Sequence, residues 1–329
     1  MLGKKKSLKR KIEESTTSSA PIALTISDIF PPADPDSIFD DEDGQTYEEF
    51  VEIGKRPPNE YGTGRFKMTT RRNKLAVFYF GNSKKSPYIP LLIRFLTSFF
   101  LLEVDYFEQC DALCLETNTF HLDDDDYDIT VVSSPPSKSK KGQALSRDRK
   151  VDVFSLFDVL VHKAKTPYYS IVGLFDCLLC EDDSDVMGRA CGDRVCCVSL
   201  PSCDDIHSLF SVTCHELLHT MGFDHEINER CIMNAICSDS WIFLCHENVR
   251  KLHYFHHGST IDKNKKPSSY QTGVVIPSSI TCNTFHEFIV NYHRDLKECV
   301  DDLGPDFEAH GQWLSRVILY FSSQFVDLT

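Results

Sequence analysis

The stretch His215-Glu216-Leu217-Leu218-His219-Thr220-Met221-Gly222-Phe223-Asp224-His225 constrains this chain more than any other. On a helix, residues four apart share a face, so His215 and His219 can both point imidazole nitrogens at one metal ion. Glu216 lies beside His215 and can reach a water on that ion without being a ligand. Gly222 can take the left-handed conformation that ends a helix and turns the chain. That turn brings His225 round as a third ligand. Three neutral nitrogens leave the fourth tetrahedral position open, as in catalytic rather than structural zinc sites. The bland alternative is three surface or capping histidines on an amphipathic helix.

The flanking sequence alternates between strand and helix patterns from Arg65 onward. Leu75–Phe80, Glu103–Phe107, Ile129–Val132, Tyr169–Leu174 and Val195–Leu200 read as strands. Leu91–Leu102 reads as a helix, as does the stretch capped by Asp152 with apolar Val153, Phe154, Leu156, Phe157, Leu160 and Val161, and as does a segment starting near Asp204–Ser208. This rhythm predicts a largely parallel sheet. Asp123–Asp126 reads as an acidic loop, and Ser133–Lys150 as a surface excursion. Residues 1–64 read as a poorly ordered segment, residues 65–258 as the catalytic domain, and residues 259–329 as a linker and helical extension. In that extension Phe285, Phe288, Ile289, Tyr292 and Leu296 form one apolar stripe, and Trp313, Leu314, Val317, Ile318, Phe321 and Phe325 another. Gly304-Pro305 divides them into a helical hairpin.

Composition narrows the function. With Lys+Arg 35 against Asp+Glu 49, a net charge of −14 argues against nucleic-acid phosphate as the main partner. The N-terminus carries Lys4, Lys5, Lys6, Lys9, Arg10 and Lys11 with no apolar signal region, and reads as a solvated tail or a nuclear address. The expected location is therefore intracellular, cytoplasmic or nuclear, where the 14 cysteines are free or metal-bound rather than bridged. Pro90–Val104 is apolar but short, and is interrupted by Arg94, so no membrane partner is expected.

Downstream of His225, Cys231-Ile232-Met233-Asn234 places a Met where metzincin zinc peptidases form a tight turn under their ligands. With Cys245-His246-Glu247-Asn248 and Val172-Gly173-Leu174, these residues resemble the archaemetzincin family across residues 65–258. Weaker echoes lie at Asn291-Tyr292-His293-Arg294 and Trp313-Leu314. The resemblance implies a metzincin-like α/β fold: a twisted, mostly parallel sheet with an antiparallel edge strand, an active-site helix and a smaller C-terminal helical subdomain. Val195–Leu200 is the candidate edge strand beside the cleft, and Arg189–Asp193 reads as the turn that enters it.

The implied activity is hydrolysis of peptide bonds in a peptide or protein substrate, by a zinc-activated water with Glu216 as general base. The family suggests aminopeptidase-type or limited peptide cleavage. It also implies a second, structural zinc on four thiolates. Here Cys231 and Cys245 match two of them, while Glu226 and Asn248 occupy the other two positions. One zinc is expected unless Cys237 and His246 complete a second site. Cys214 is expected to face the core. The rival readings are a zinc-containing peptide-binding protein without strong catalysis, and a zinc-finger module built on Cys231, Cys237 and Cys245.

Overall fold

The computed structural model describes residues 24–39, 42–55, 68, 71–81, 87–109, 112–123, 125–133, 149–182, 184–192, 194–236, 241–257, 282 and 284–324. The strands are β1 (Lys74–Phe80), β2 (Glu103–Gln109), β3 (Leu113–Cys114), β4 (Thr119–Leu122), β5 (Asp125–Asp128), β6 (Val131–Ser133), β7 (Arg149–Asp152), β8 (Tyr168–Phe175), β9 (Leu178–Glu181), β10 (Ser184–Val186), β11 (Gly188–Cys191) and β12 (Val195–Ser199). The helices are α1 (Ile26–Ile29), α2 (Tyr47–Lys55), α3 (Ile89–Phe100), α4 (Val153–Val161), α5 (Ile206–Thr220), α6 (His246–His257), α7 (Phe285–Asp301) and α8 (Glu308–Ser323).

The fold is mixed α/β. Its main sheet has the order β11-β12-β8-β1-β2, with parallel pairings throughout except for antiparallel β11 at one edge. Successive strand residues face opposite sides, so Leu75, Val77 and Tyr79 join one buried cluster while Ala76, Phe78 and Phe80 join the other. α3, α5, α7 and α8 fill the first side and α4 the second, which is how a parallel sheet comes to be buried on both faces. Two smaller sheets, β10-β9-β7-β6 and β3-β4-β5, flank the second side. Among the described residues, no helix is long and apolar enough to cross a membrane.

Several expectations change. The edge strand is not Val195–Leu200: β12 lies inside the sheet, parallel to β8. All five of its residues are buried, as an apolar Val-Cys-Cys-Val run requires, and that pattern belongs to an interior strand. The antiparallel edge is β11, from the segment expected to be only a turn. The turn follows it, at Arg194 with φ 75°. Of the expected strand Ile129–Val132 only Val131 and Val132 are in a strand, β6; Ile129 and Thr130 lie between β5 and β6, and β5 draws on the supposed acidic loop.

The N-terminal segment, where described, is not disordered: α1 and α2 bury Ile29, Phe30 and Phe50, and Phe50 packs its ring 4.8 Å from that of Phe223. α7 and α8 share one continuous core cluster with α3 and α5. The basic cluster at residues 4–11, most of the 259–283 linker and Phe325 lie outside the described residues.

Candidate metal centre

α5 is buried nearly all round, with twelve of its fifteen residues enclosed, so its polar Ser211, Thr213, His215, Glu216 and Thr220 are buried along with its apolar ones. Asp205 starts it by accepting a hydrogen bond from the Ser208 backbone N–H at 2.7 Å. Gly222 ends it at φ 84°, where the Phe223 N–H returns to the Leu218 carbonyl. Cys214 is fully buried in the core, as expected.

His215, His219 and His225 meet. One ligand-capable nitrogen from each lies within 4.8 Å of the other two, the only such group of three or more His, Cys, Asp or Glu among the described residues. Each ring is held by an oxygen at Nδ1. The His215 Nδ1 contacts the Ile232 carbonyl at 2.8 Å, the His219 Nδ1 the Phe223 carbonyl at 2.8 Å, and the His225 Nδ1 a Glu42 carboxylate oxygen at 2.6 Å. Donation from Nδ1 leaves Nε2 as a lone-pair acceptor on each ring.

The Nε2 atoms of His215 and His219 are 3.0 Å apart. Burial pushes His215 well below its ordinary value and His219 down to about 4, with the neighbouring imidazoles adding to the effect. Two neutral acceptors facing each other at that distance repel unless a cation lies between them. The donor set therefore fits a divalent, imidazole-preferring ion such as zinc.

Glu216 follows His215 on α5 and is 9% exposed. Burial raises its carboxyl to about 8, with Arg189 pulling it down and Glu181 pushing it up. Arg189 also donates to Glu181 at 2.9 Å, so an ion pair borders the carboxyl. Gly188 packs against it: a Cβ there would stand 2.8 Å from Glu216 Cγ and 2.7 Å from Val212 Cγ1. Met233 is fully buried in the turn Cys231–Asn234. That turn is closed by Asn234, whose side chain accepts from the Cys231 N–H and donates to the Glu226 carbonyl. It presents the Ile232 carbonyl to His215.

Cys231 and Cys245 also meet, though not as part of a ligand cluster. The Cys231 sulfur accepts from the Cys245 backbone N–H at 3.2 Å and from Asn248 Nδ2 at 3.3 Å. The Cys245 thiol donates to Glu226 Oε2 at 3.7 Å. Burial raises Cys231, yet these hydrogen bonds and the Cys245 thiol hold it below the usual thiol value. Cys245 is pushed well above it by burial and by Cys231. Two thiols, a carboxylate and the Asn248 amide nitrogen are thus hydrogen-bonded together here, while Asn248 Oδ1 is buried without a partner. His246 packs its ring among Phe30, Phe285 and Phe321, and Cys237 lies outside the described residues. Sequence reasoning missed Glu42, Gly188 and the Glu226–Cys245 and Asn248–Cys231 hydrogen bonds, because none of these residues is close in sequence to the group it touches.

No protein-family model matches the chain, and no curated protein matches it in sequence. Solved structures do. Archaemetzincin from Methanopyrus kandleri is 17% identical with a TM-score of 0.38, over 57% of this chain and 96% of that one. Archaemetzincin from Archaeoglobus fulgidus is 15% identical with a TM-score of 0.36, over 54% and 99%. A zinc-dependent peptidase from Methanocorpusculum labreanum is 15% identical with a TM-score of 0.31, over 54% and 99%. The structural neighbours of this chain are thus archaemetzincins and a zinc-dependent peptidase.

Proposed function

We propose that this chain is a zinc metallopeptidase of the archaemetzincin type, in which His215, His219 and His225 hold the ion and Glu216 is the general base. The observation that carries the reading is the triad itself: three imidazoles, each tied to an oxygen at Nδ1, whose other nitrogens converge. A zinc ion bound there supplies Lewis-acid polarisation of the scissile carbonyl and acidifies the attacking water.

Glu216 takes that water's proton on its carboxylate and returns it to the leaving amine. A group shuttling a proton works best when its own affinity lies near the working pH, and burial moves Glu216 in that direction. β11 is the sheet edge beside Glu216, so its unpaired backbone groups are the natural partner for an extended peptide substrate. Arg189 on that strand, half exposed, bears on the substrate side chains.

One zinc per chain is proposed, since Glu226 and Asn248 stand in place of two thiolates and hydrogen-bond to Cys245 and Cys231. Metal analysis tests both parts. The triple His→Ala variant at 215, 219 and 225 should hold at least one zinc fewer than wild type, and equal content would sink the assignment. A wild-type value near two that falls in Cys231→Ser would show that the thiols hold a second ion.

A further inference from the structure

Of the three histidines, His225 alone lies beyond the helix and its cap, on a loop. His215 and His219 are oriented by backbone carbonyls of the α5 C-terminal turn and the Cys231–Asn234 turn. The Nδ1 of His225 instead meets the Glu42 side chain, 183 residues earlier in the chain. Both side chains are mostly enclosed, at 23% and 22% exposure. The second carboxylate oxygen of Glu42 is buried and has no hydrogen-bond partner. A buried anionic oxygen without a donor is costly unless positive charge lies close by. An ion bound through the far side of the His225 ring supplies that charge.

The surrounding segment is built onto the loop that carries His225. The Gln45 amide spans the turn, donating to the Gly222 carbonyl at 3.2 Å and accepting from the Asp224 N–H at 3.3 Å. Gly44 adopts φ 70° against Ile227, where a Cβ would approach to 2.9 Å. Upstream, Ala33 donates to the Asn228 carbonyl, Arg230 to the Pro31 carbonyl, and Pro32 bridges Glu229. The segment thus holds the loop on both sides of His225.

We infer that Glu42 is a positioning residue for the third ligand, its carboxylate fixing the His225 ring and making the N-terminal segment part of the metal centre. The inference rests on the zinc reading above. A carboxylate on the outer nitrogen of a ligating imidazole fixes the tautomer and increases ligand basicity, and losing such a partner costs about 10–100-fold in metal affinity.

Zinc affinity, measured by competition with a chromophoric chelator, tests this in wild type, Glu42→Ala, Glu42→Gln and His225→Ala, alongside the urea midpoint of each zinc-free protein. Glu42→Ala should bind zinc about 10–100-fold more weakly with its zinc-free midpoint near that of wild type. Glu42→Gln keeps an oxygen acceptor but no charge, and should fall between the two. It also decides the matter if Glu42→Ala does not fold. A Glu42→Gln or Glu42→Ala protein that binds zinc as tightly as wild type overturns the inference, as does a lowered zinc-free midpoint with unchanged affinity. In either case His225→Ala still binds more weakly than wild type. If His225→Ala binds zinc like wild type, the metal reading itself fails and the inference falls with it.

Discussion

Gly188 has no room for a side chain, and what it touches is the proposed base. A methyl there collides with Glu216 Cγ and Val212 Cγ1 and crowds Glu216 Oε1 at 3.1 Å, so the Glu216 side chain must shift. Gly188→Ala should therefore lower peptidase activity by displacing Glu216, while zinc content stays at the wild-type value. Loss of zinc together with activity would mean that the substitution distorts α5 as a whole. The proposed metal ligands were legible in the sequence because helix geometry and one glycine place His215, His219 and His225 within eleven residues. Their outer contacts were not. Glu42 and Gly188 come from distant parts of the chain, and nothing local in either residue announces the group it meets.

α5 carries two of the three histidines, so its register matters more than that of any other helix. Asp205 fixes its first turn by satisfying the Ser208 N–H and hydroxyl. Asp205→Ala should lower stability by about 1 kcal/mol, read as a lower urea midpoint in the zinc-free protein. An unchanged midpoint would show that packing alone sets the helix start. Strand identity was harder to read than helix identity. Val195–Ser199 was recognisable as a strand, but an apolar run says only that both faces are covered. Which neighbours cover it depends on pairing across the sheet. β11 escaped because Gly-Arg-Ala-Cys is short and carries no alternating apolar pattern, so it is a strand only because β12 pairs with it.

Across the whole molecule, helices from both ends of the chain close over the sheet and leave titratable groups deep inside. His256 donates to the Phe100 carbonyl and is pushed down to about 3 by burial. His293 donates to the Ile289 carbonyl and is pushed down to about 4 by burial. In the unfolded chain both would take a proton near ~6.5, whereas the folded chain keeps them neutral. The unfolded state then binds more protons as pH falls below about 6.5, so stability drops from there toward about 4, by up to ~1.4 kcal/mol per pH unit for each ring. Urea midpoints should fall between about pH 7 and about pH 5, and His293→Gln should flatten that fall. An equal slope in the variant would contradict the burial argument.

The N-terminal helices belong to the same body, since Ile29, Phe30 and Phe50 are buried in the main core. Low-complexity flanks hid this, because the segment's composition resembles a tail and its burial depends on partners far along the chain. The central claim, that Glu216 serves an ion held by three histidines, is tested most directly by cleavage of a mixed peptide library read by mass spectrometry. Wild type and Glu216→Gln are compared at matched zinc content. Wild type should cleave, and the near-isosteric variant should keep its zinc and lose about 10²–10⁴ in rate, since an amide cannot take the proton. Equal cleavage by the variant would contradict the account, and a wild type that binds peptides without cutting them would make this chain a binding protein.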